Sequence, residues 1–194
     1  MASLAVEYLP RPVRRFVRRN QPSSWRGLVA GAAAGFIGTI AMTQFQNAWR
    51  KMSEKKPSSG GSSRSTTRAR HSEQNESATM KAAGKLARLA GQELTREQRG
   101  TASPFIHYGF GTAMGALYGM AIEAAPHNVR RQRIPFVGGL FGSAVFLGAD
   151  EIAVPAAGLS QGSANPSTHL YSWLSHLVYG LATEFVRSQI RRRI

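Results

Sequence analysis

The sequence contains no cysteine, which excludes disulfides, thiolate metal sites and cysteine nucleophiles. It is also poor in acidic residues, with 10 Asp and Glu against 25 Lys and Arg and a formal net charge of +15. Charge is missing altogether from four long blocks, residues 27–49, 100–122, 134–149 and 152–183. Such blocks argue against a soluble nucleic-acid-binding protein, the usual interpretation of so basic a chain, and we expect no nucleic-acid partner.

The charge-free blocks are long enough to cross a membrane as helices. A helical span needs about 20 mostly apolar residues. The basic residues fall between the blocks, so the mean hydropathy of −0.24 is low only because of the connectors. We predict an all-α integral membrane protein with four transmembrane helices in two hairpins plus a short amphipathic helix. The predicted spans are residues 26–49, 104–125, 135–154 and 168–189.

Basic segments flank these predicted spans. Residues 1–25 form an N-terminal arm, and residues 190–194 form a short tail. The arm precedes an apolar block longer than that of a cleavable signal peptide, so we interpret the first span as a signal anchor. Arginines near a bilayer favour anionic lipids, and we expect the arm and the long connector to bind them.

The long connector, residues 50–103, has two parts. Residues 53–77 lack large apolar side chains and are predicted to be disordered. Residues 78–91 place basic and apolar side chains on opposite faces of an amphipathic helix. Two alternatives stay open for this helix: it lies on lipid headgroups, or it packs against the bundle.

The short connectors predict the orientation of the chain. Residues 127–133 contain three arginines, and residues 160–167 contain no basic residue. Since basic short loops stay on the cytoplasmic side, both termini are predicted to be cytoplasmic.

Glycines recur at a spacing of four residues and predict where the helices pack. Small residues let helix backbones approach closely in a membrane; a pore or substrate path along the glycines is the alternative. The segments LYGMAIE (117–123) and VYGLATE (178–184) are also similar, which suggests two related hairpins in the same orientation. The predicted packing glycines are Gly27, Gly31, Gly35, Gly111, Gly115, Gly119, Gly138, Gly142 and Gly180.

Ionisable residues inside the spans are the candidates for function, because charge at membrane depth is costly. With both termini inside, Asp150, Glu151, His107 and His176 fall in the outer half of the bilayer. Three interpretations compete for this cluster: a structural acid–His network, a proton or divalent-cation site, and His ligation of a haem or chlorin. We predict no cofactor and leave the identity of any metal open.

Two further acids, Glu123 and Glu184, are expected at the inner end of the spans. Basic residues lie close to both of them in the sequence, Arg187 among them. We therefore predict that these acids snorkel towards neighbouring arginines.

The sequence shows no pattern of an enzyme. It contains no nucleophile elbow, no phosphate-binding glycine loop before a helix and no HExxH. We predict that the protein is not an enzyme.

Four segments of the sequence are distinctive: GADEIAVPAAGLS (148–160), HLVYGLATEFVR (176–187), PFIHYGFGTAMGALYG (104–119) and GLVAGAAAGFIGTIAMTQFQ (27–46). They resemble the YagU-like bacterial inner-membrane proteins, a family of unknown function. The resemblance implies a small polytopic protein of the bacterial inner membrane, with a link to acid tolerance and no assigned catalytic residues. We expect proton or cation handling by the outer cluster. The alternatives are a scaffold or accessory subunit of a larger membrane complex, a homo-oligomer included, and a haem-binding or chlorin-binding bundle.

Overall fold

A computed structural model describes residues 23–54, 77–126, 134–159 and 166–193, and these residues form helices and no strands. The all-helical prediction is confirmed. The arm up to residue 22, most of the segment predicted to be disordered and the connector 127–133 lie outside the described residues. The helices are α1 (Ser24–Glu54), α2 (Ala78–Leu89), α3 (Arg96–Ala124), α4 (Ile134–Val145) and α5 (Pro166–Arg193). Helix α4 continues as a π-helix, Phe146–Ala153, and one last turn, Val154–Ala156.

Two of the predicted spans are long and apolar enough to cross a membrane, Ser24–Ser53 and Ile134–Ala156. The other two, in α3 and α5, do not meet that criterion. A core helix of a soluble protein has similar length and composition, so the distribution of side chains has to distinguish the two cases.

Many large apolar side chains of the described helices are exposed and a few are buried, whereas the fully buried side chains are small or polar. Ala30 and Ala34 are fully buried, and the largest fully buried side chains are Thr39, Thr183 and Ser175. A water-soluble protein has the opposite arrangement, with its large aliphatic and aromatic residues inside. Exposed large residues occur on every long helix and include Phe36, Ile40, Leu117, Leu140, Leu147 and Phe185.

Helix α3 begins earlier than predicted. The predicted span starts at residue 104, but the helix begins at Arg96. The Thr95 hydroxyl accepts a hydrogen bond from the Gln98 N–H, and the Gln98 side chain accepts one from the Thr95 N–H. This capping box fixes the start of the helix, so Pro104 lies inside it and only removes one backbone donor.

Three other boundaries differ from the predictions. Helix α1 continues to Glu54, so the first two residues of the segment predicted to be disordered are helical. The last residue of that segment, Ser77, caps α2 by accepting a hydrogen bond from the Met80 N–H. The predicted basic tail is helical up to Arg193. In the first and third cases a helix extends into the segment, and in the second only the N-cap of a helix lies in it.

Helix α2 packs against the bundle, the second of the two alternatives. Ala83 and Gly84 are buried, and a Cβ on Gly84 would lie 2.7 Å from the Arg99 side chain of α3. The Lys85 ammonium donates a hydrogen bond to the Ala157 carbonyl after α4. Helix α2 therefore bridges α3 and the end of α4, while Leu89 remains 87% exposed.

The long helices are held together by backbone contacts at glycines. A Cβ on Gly115 would lie 2.5 Å from both the Gly31 oxygen and the Gly35 Cα, and one on Gly138 would lie 2.9 Å from the Gly180 oxygen. All nine glycines predicted to pack lie at such contacts between helices. We call the α1–α3 contact at Gly27, Gly31, Gly35, Gly111, Gly115 and Gly119 the glycine seam.

The contacts give two antiparallel hairpins, α1 with α3 and α4 with α5, joined by the packing of α1 on α5. Helices α3 and α4 meet in one half of the bundle, where the rings of Tyr118 and Phe141 stack with centroids 4.0 Å apart. The last turn after α4 ends one residue beyond Pro155, a residue that has no backbone N–H to donate. The π-helix just before it is held by an i→i+5 bond from the Val154 N–H to the Ala149 carbonyl.

Replacing Gly115 by Ala should destabilise the fold, because its methyl group would meet two glycine backbones that cannot turn away. We expect a loss of about 1–3 kcal/mol in unfolding free energy, typical of overpacking. Gly109→Ala is the matched control, since Gly109 lies on the same helix with nothing within 4 Å. The control should be neutral or slightly stabilising. Equal unfolding temperatures of the two variants in detergent would contradict the seam.

Candidate functional site

A cavity of about 660 Å³ lies in the half of the bundle where α3 and α4 separate. Helices α1 and α5 form its back wall, and residues 78, 79 and 82 of α2 lie at one end. Its volume is within the range of small-molecule pockets, about 300–1,000 Å³. The cavity is therefore the candidate site, and its polar residues decide what it can do.

Asp150 and His176 meet at the wall of this cavity through Ser172. The Ser172 hydroxyl donates a hydrogen bond to Asp150 Oδ2, and His176 Nδ1 lies 3.8 Å from the same oxygen. His176 Nδ1 also lies 2.9 Å from the Ser172 carbonyl oxygen. Because a carbonyl only accepts hydrogen bonds, Nδ1 carries the hydrogen. Neutral His176 then has Nε2 as an acceptor, so the pair combines an acid and a base that share one serine.

His107 brings a third ionisable group to the cavity from α3. It interacts electrostatically with His176 and with Asp150. A Cα–Cβ bond tilts towards the N-terminus of its helix, and α4 runs antiparallel to α3 and α5. The side chains of the two histidines are therefore directed along the bundle axis towards Asp150, and the side chain of Asp150 is directed the opposite way, towards the histidines. We call Asp150, His107 and His176 the cavity triad.

Glu151 does not belong to the triad, although the prediction placed it in the same cluster. It forms an ion pair with His169, with Oε1 and Nδ1 2.6 Å apart and side chains 34% and 42% exposed. Consecutive residues of a helical turn point in different directions, so Asp150 and Glu151 cannot both face the cavity. Among the described residues, no group of three or more His, Asp or Glu is placed to bind a metal ion. The divalent-cation alternative therefore has no ligand set in this part of the chain.

A second polar cluster lies at the opposite end of the bundle and is more deeply buried. Glu184 accepts two hydrogen bonds from Arg187, at 2.7 and 2.8 Å, and a third from the Tyr118 hydroxyl, at 2.7 Å. Arg191 donates to both oxygens of Glu123, at 2.5 and 2.9 Å. Glu123, Glu184 and Arg187 are each 6% exposed. We call these five residues the ionic network.

The predicted snorkelling of Glu123 and Glu184 is wrong about their burial, although the pairing with arginine is observed. Both acids lie inside the bundle, where two arginines neutralise two carboxylates. Residues 184, 187 and 191 share one stripe of α5, because residues three and four apart are neighbours on a helix. That spacing is visible in the sequence and is the signal that could have identified the network.

The two tyrosines of the internal repeat have different partners. Their rings both contact Phe141, with centroids 4.0 Å away for Tyr118 and 5.5 Å away for Tyr179. The Tyr118 hydroxyl donates to Glu184, whereas the Tyr179 hydroxyl donates to the Gly111 carbonyl at 2.7 Å. The repeated segments thus link the hairpins, one in the network and one beside the cavity.

Comparison with known proteins gives no relative. No protein family matches the chain, and neither a curated protein nor a solved structure shows significant similarity to it. The resemblance to the YagU-like proteins stays a prediction, and the function has to be argued from the site.

Removing Arg187 should be far more damaging than removing Arg192, an exposed arginine on the same helix. Arg187→Met leaves Glu184 buried with its main partner gone, which costs about 3–5 kcal/mol for a buried pair. The control Arg192→Met should stay within about 0.5 kcal/mol.

The double variant Glu184→Leu/Arg187→Met separates charge from packing. It should recover part of the loss, because neither charge remains unpaired. Unfolding in detergent measures all three variants, and a double variant less stable than Arg187→Met would contradict the ionic network.

Proposed function

We propose that all four long helices span a membrane and that the cavity triad takes up and releases protons there. The distribution of side chains supports the membrane location: the interior is rich in glycine, alanine and hydroxyl groups, with a few large residues such as Tyr118 and Ile122, and many large apolar residues are exposed. Lipid tails do not drive helices together, so close glycine contacts and buried polar bonds are the interactions expected to hold such a bundle.

The membrane proposed is a bacterial inner membrane, with both termini on the cytoplasmic side. Positive charge favours this orientation. Arg192 and Arg193 follow the ionic network on α5, and the connector after α3, residues 127–133, contains three arginines in its sequence, whereas the connector before α5, residues 160–167, contains no basic residue. The cavity would then open in the outer half of the bilayer.

A reporter fused after Ile194 tests both parts of this proposal. Carbonate washing should leave the fusion in the membrane pellet, because a bundle whose helices span the bilayer stays in the lipid. The reporter should be active only in the cytoplasm, as the positive-inside rule requires. Recovery in the supernatant would contradict the membrane assignment, and a periplasmic signal would reverse the orientation.

Proton handling is supported by the convergence of three ionisable groups from three helices on one cavity. Histidine changes charge between about pH 5 and pH 8. Asp150 offers a carboxylate next to it, and ionisable residues at membrane depth commonly mark proton relays. The triad therefore consists of groups that can exchange protons, and all three groups line the cavity.

The alternative function, a scaffold or accessory subunit, required the packing glycines to bind a partner protein. Those nine glycines are all used within the bundle, at contacts with its own helices. A partner would have to bind elsewhere on the surface, which favours the triad as the functional element. We propose no catalytic step for the protein and no cofactor.

Asp150→Asn should abolish proton movement without unfolding the protein. In proteoliposomes loaded with a pH-sensitive dye, the wild-type protein should acidify the lumen faster than empty vesicles after an external acid pulse. Asp150→Asn should fall to the rate of empty vesicles, because the amide cannot take up the proton. Glu151→Gln is the matched control, an adjacent acid outside the cavity, and should keep the wild-type rate. Wild-type vesicles no faster than empty ones would overturn proton handling.

A further inference from the structure

The cavity carries one formal negative charge on an otherwise mostly apolar wall. Its walls are formed in part by Met42, Phe110, Met114 and Val145. Asp150 is the one Asp or Glu among the described lining residues, and no Lys or Arg is among them. A carboxylate with no Lys or Arg beside it in mostly apolar surroundings attracts a cation strongly, because the local dielectric constant is low. The carboxylate therefore favours a ligand of positive charge, and the walls favour a ligand that is otherwise apolar.

The cavity is also placed where a lipid-soluble molecule can reach it. Helices α3 and α4 are in contact at the Tyr118–Phe141 stack but are separated at the level of the triad. Phe110, at the edge of the cavity, is 49% exposed on the outer surface of α3. In the membrane location proposed above, this gap faces lipid tails.

We propose that the cavity binds a lipophilic organic monocation, an ammonium or phosphonium on an apolar body, with its charge next to Asp150. The inference rests on the proposed function in one respect, that protons and the cation compete for the same triad. A cavity without a charged lining residue would bind such a cation weakly, and a cavity lined by Lys or Arg would repel it.

Polar groups from several helices line the cavity around Asp150. Helix α5 contributes His176 and Tyr179, and α3 contributes His107 and Tyr108. Helix α1 contributes hydroxyl and amide groups, and Lys85 of α2 does not line the cavity but donates a hydrogen bond to the carbonyl of the lining residue Ala157. No Lys or Arg among the described lining residues would therefore repel a cation next to Asp150.

Tetraphenylphosphonium and tetraphenylborate provide a decisive pair of probes, because they have nearly the same shape and opposite charge. Calorimetric titration of the full-length protein in detergent should give binding of the phosphonium at pH 8 and at least about tenfold weaker binding of the borate, as a single fixed charge predicts. Equal affinities for the two ions would overturn the inference.

Two variants test the role of Asp150. Asp150→Asn should weaken phosphonium binding by at least about tenfold, while Asp150→Glu, which keeps the charge, and Glu151→Gln should stay within about twofold. Unchanged affinity in a folded Asp150→Asn variant would overturn the inference. If Asp150→Asn does not fold, the comparison of the phosphonium with the borate decides. Phosphonium binding without proton movement in vesicles would overturn the proposed function alone, and proton movement without phosphonium binding would overturn the ligand alone.

Discussion

The glycine seam is the constraint on which the rest of the structure depends. With Gly31 and Gly35 against Gly115, the backbones of α1 and α3 touch directly, and no side chain remains between them to adjust the distance. Protein interiors are close-packed and transmit such constraints over their whole length. Because α1 also packs on α5 at Gly38, the positions of three helices are fixed together. Polar groups at either end are held in place by this contact.

The same helix ridges carry the polar groups at both ends. On α3 the ridge begins with His107 at the cavity and finishes with Glu123 in the ionic network, with the glycines between them. On α5 the order is His176, Gly180 and Glu184. The network has two carboxylates and two guanidinium groups and is neutral as a whole, so it stabilises one end of the helix bundle. The triad has one carboxylate and two titratable rings, so its charge changes with protonation.

The sequence predicts much of this arrangement, and the parts it misses have physical reasons. Spacing of four residues identifies the packing glycines because it follows from the helix itself. The start of α3 was predicted too late because a proline such as Pro104 is typical of the first turn of a helix. The capping box at Thr95 and Gln98 instead determines where the helix begins. Burial of Glu123 could not be predicted, since it depends on Arg191 reaching it from another hairpin. The position of α2 likewise depends on contacts with distant parts of the chain.

Asp150 and Glu151 show the limit most clearly. Placing each residue by depth alone puts both at the same level, so they form one predicted cluster. Depth ignores direction around the helix axis, and neighbouring helical residues differ greatly in that direction. A π-helix changes the direction again for every residue after it, and this one begins at Phe146, before the two acids. Which of the two acids faces Ser172 and the cavity therefore depends on a local change in helix winding, and the sequence pattern does not predict that change. Because π-helical turns cost backbone regularity and are frequent at functional sites, the turn that directs Asp150 inwards favours the cavity as the working part of the molecule.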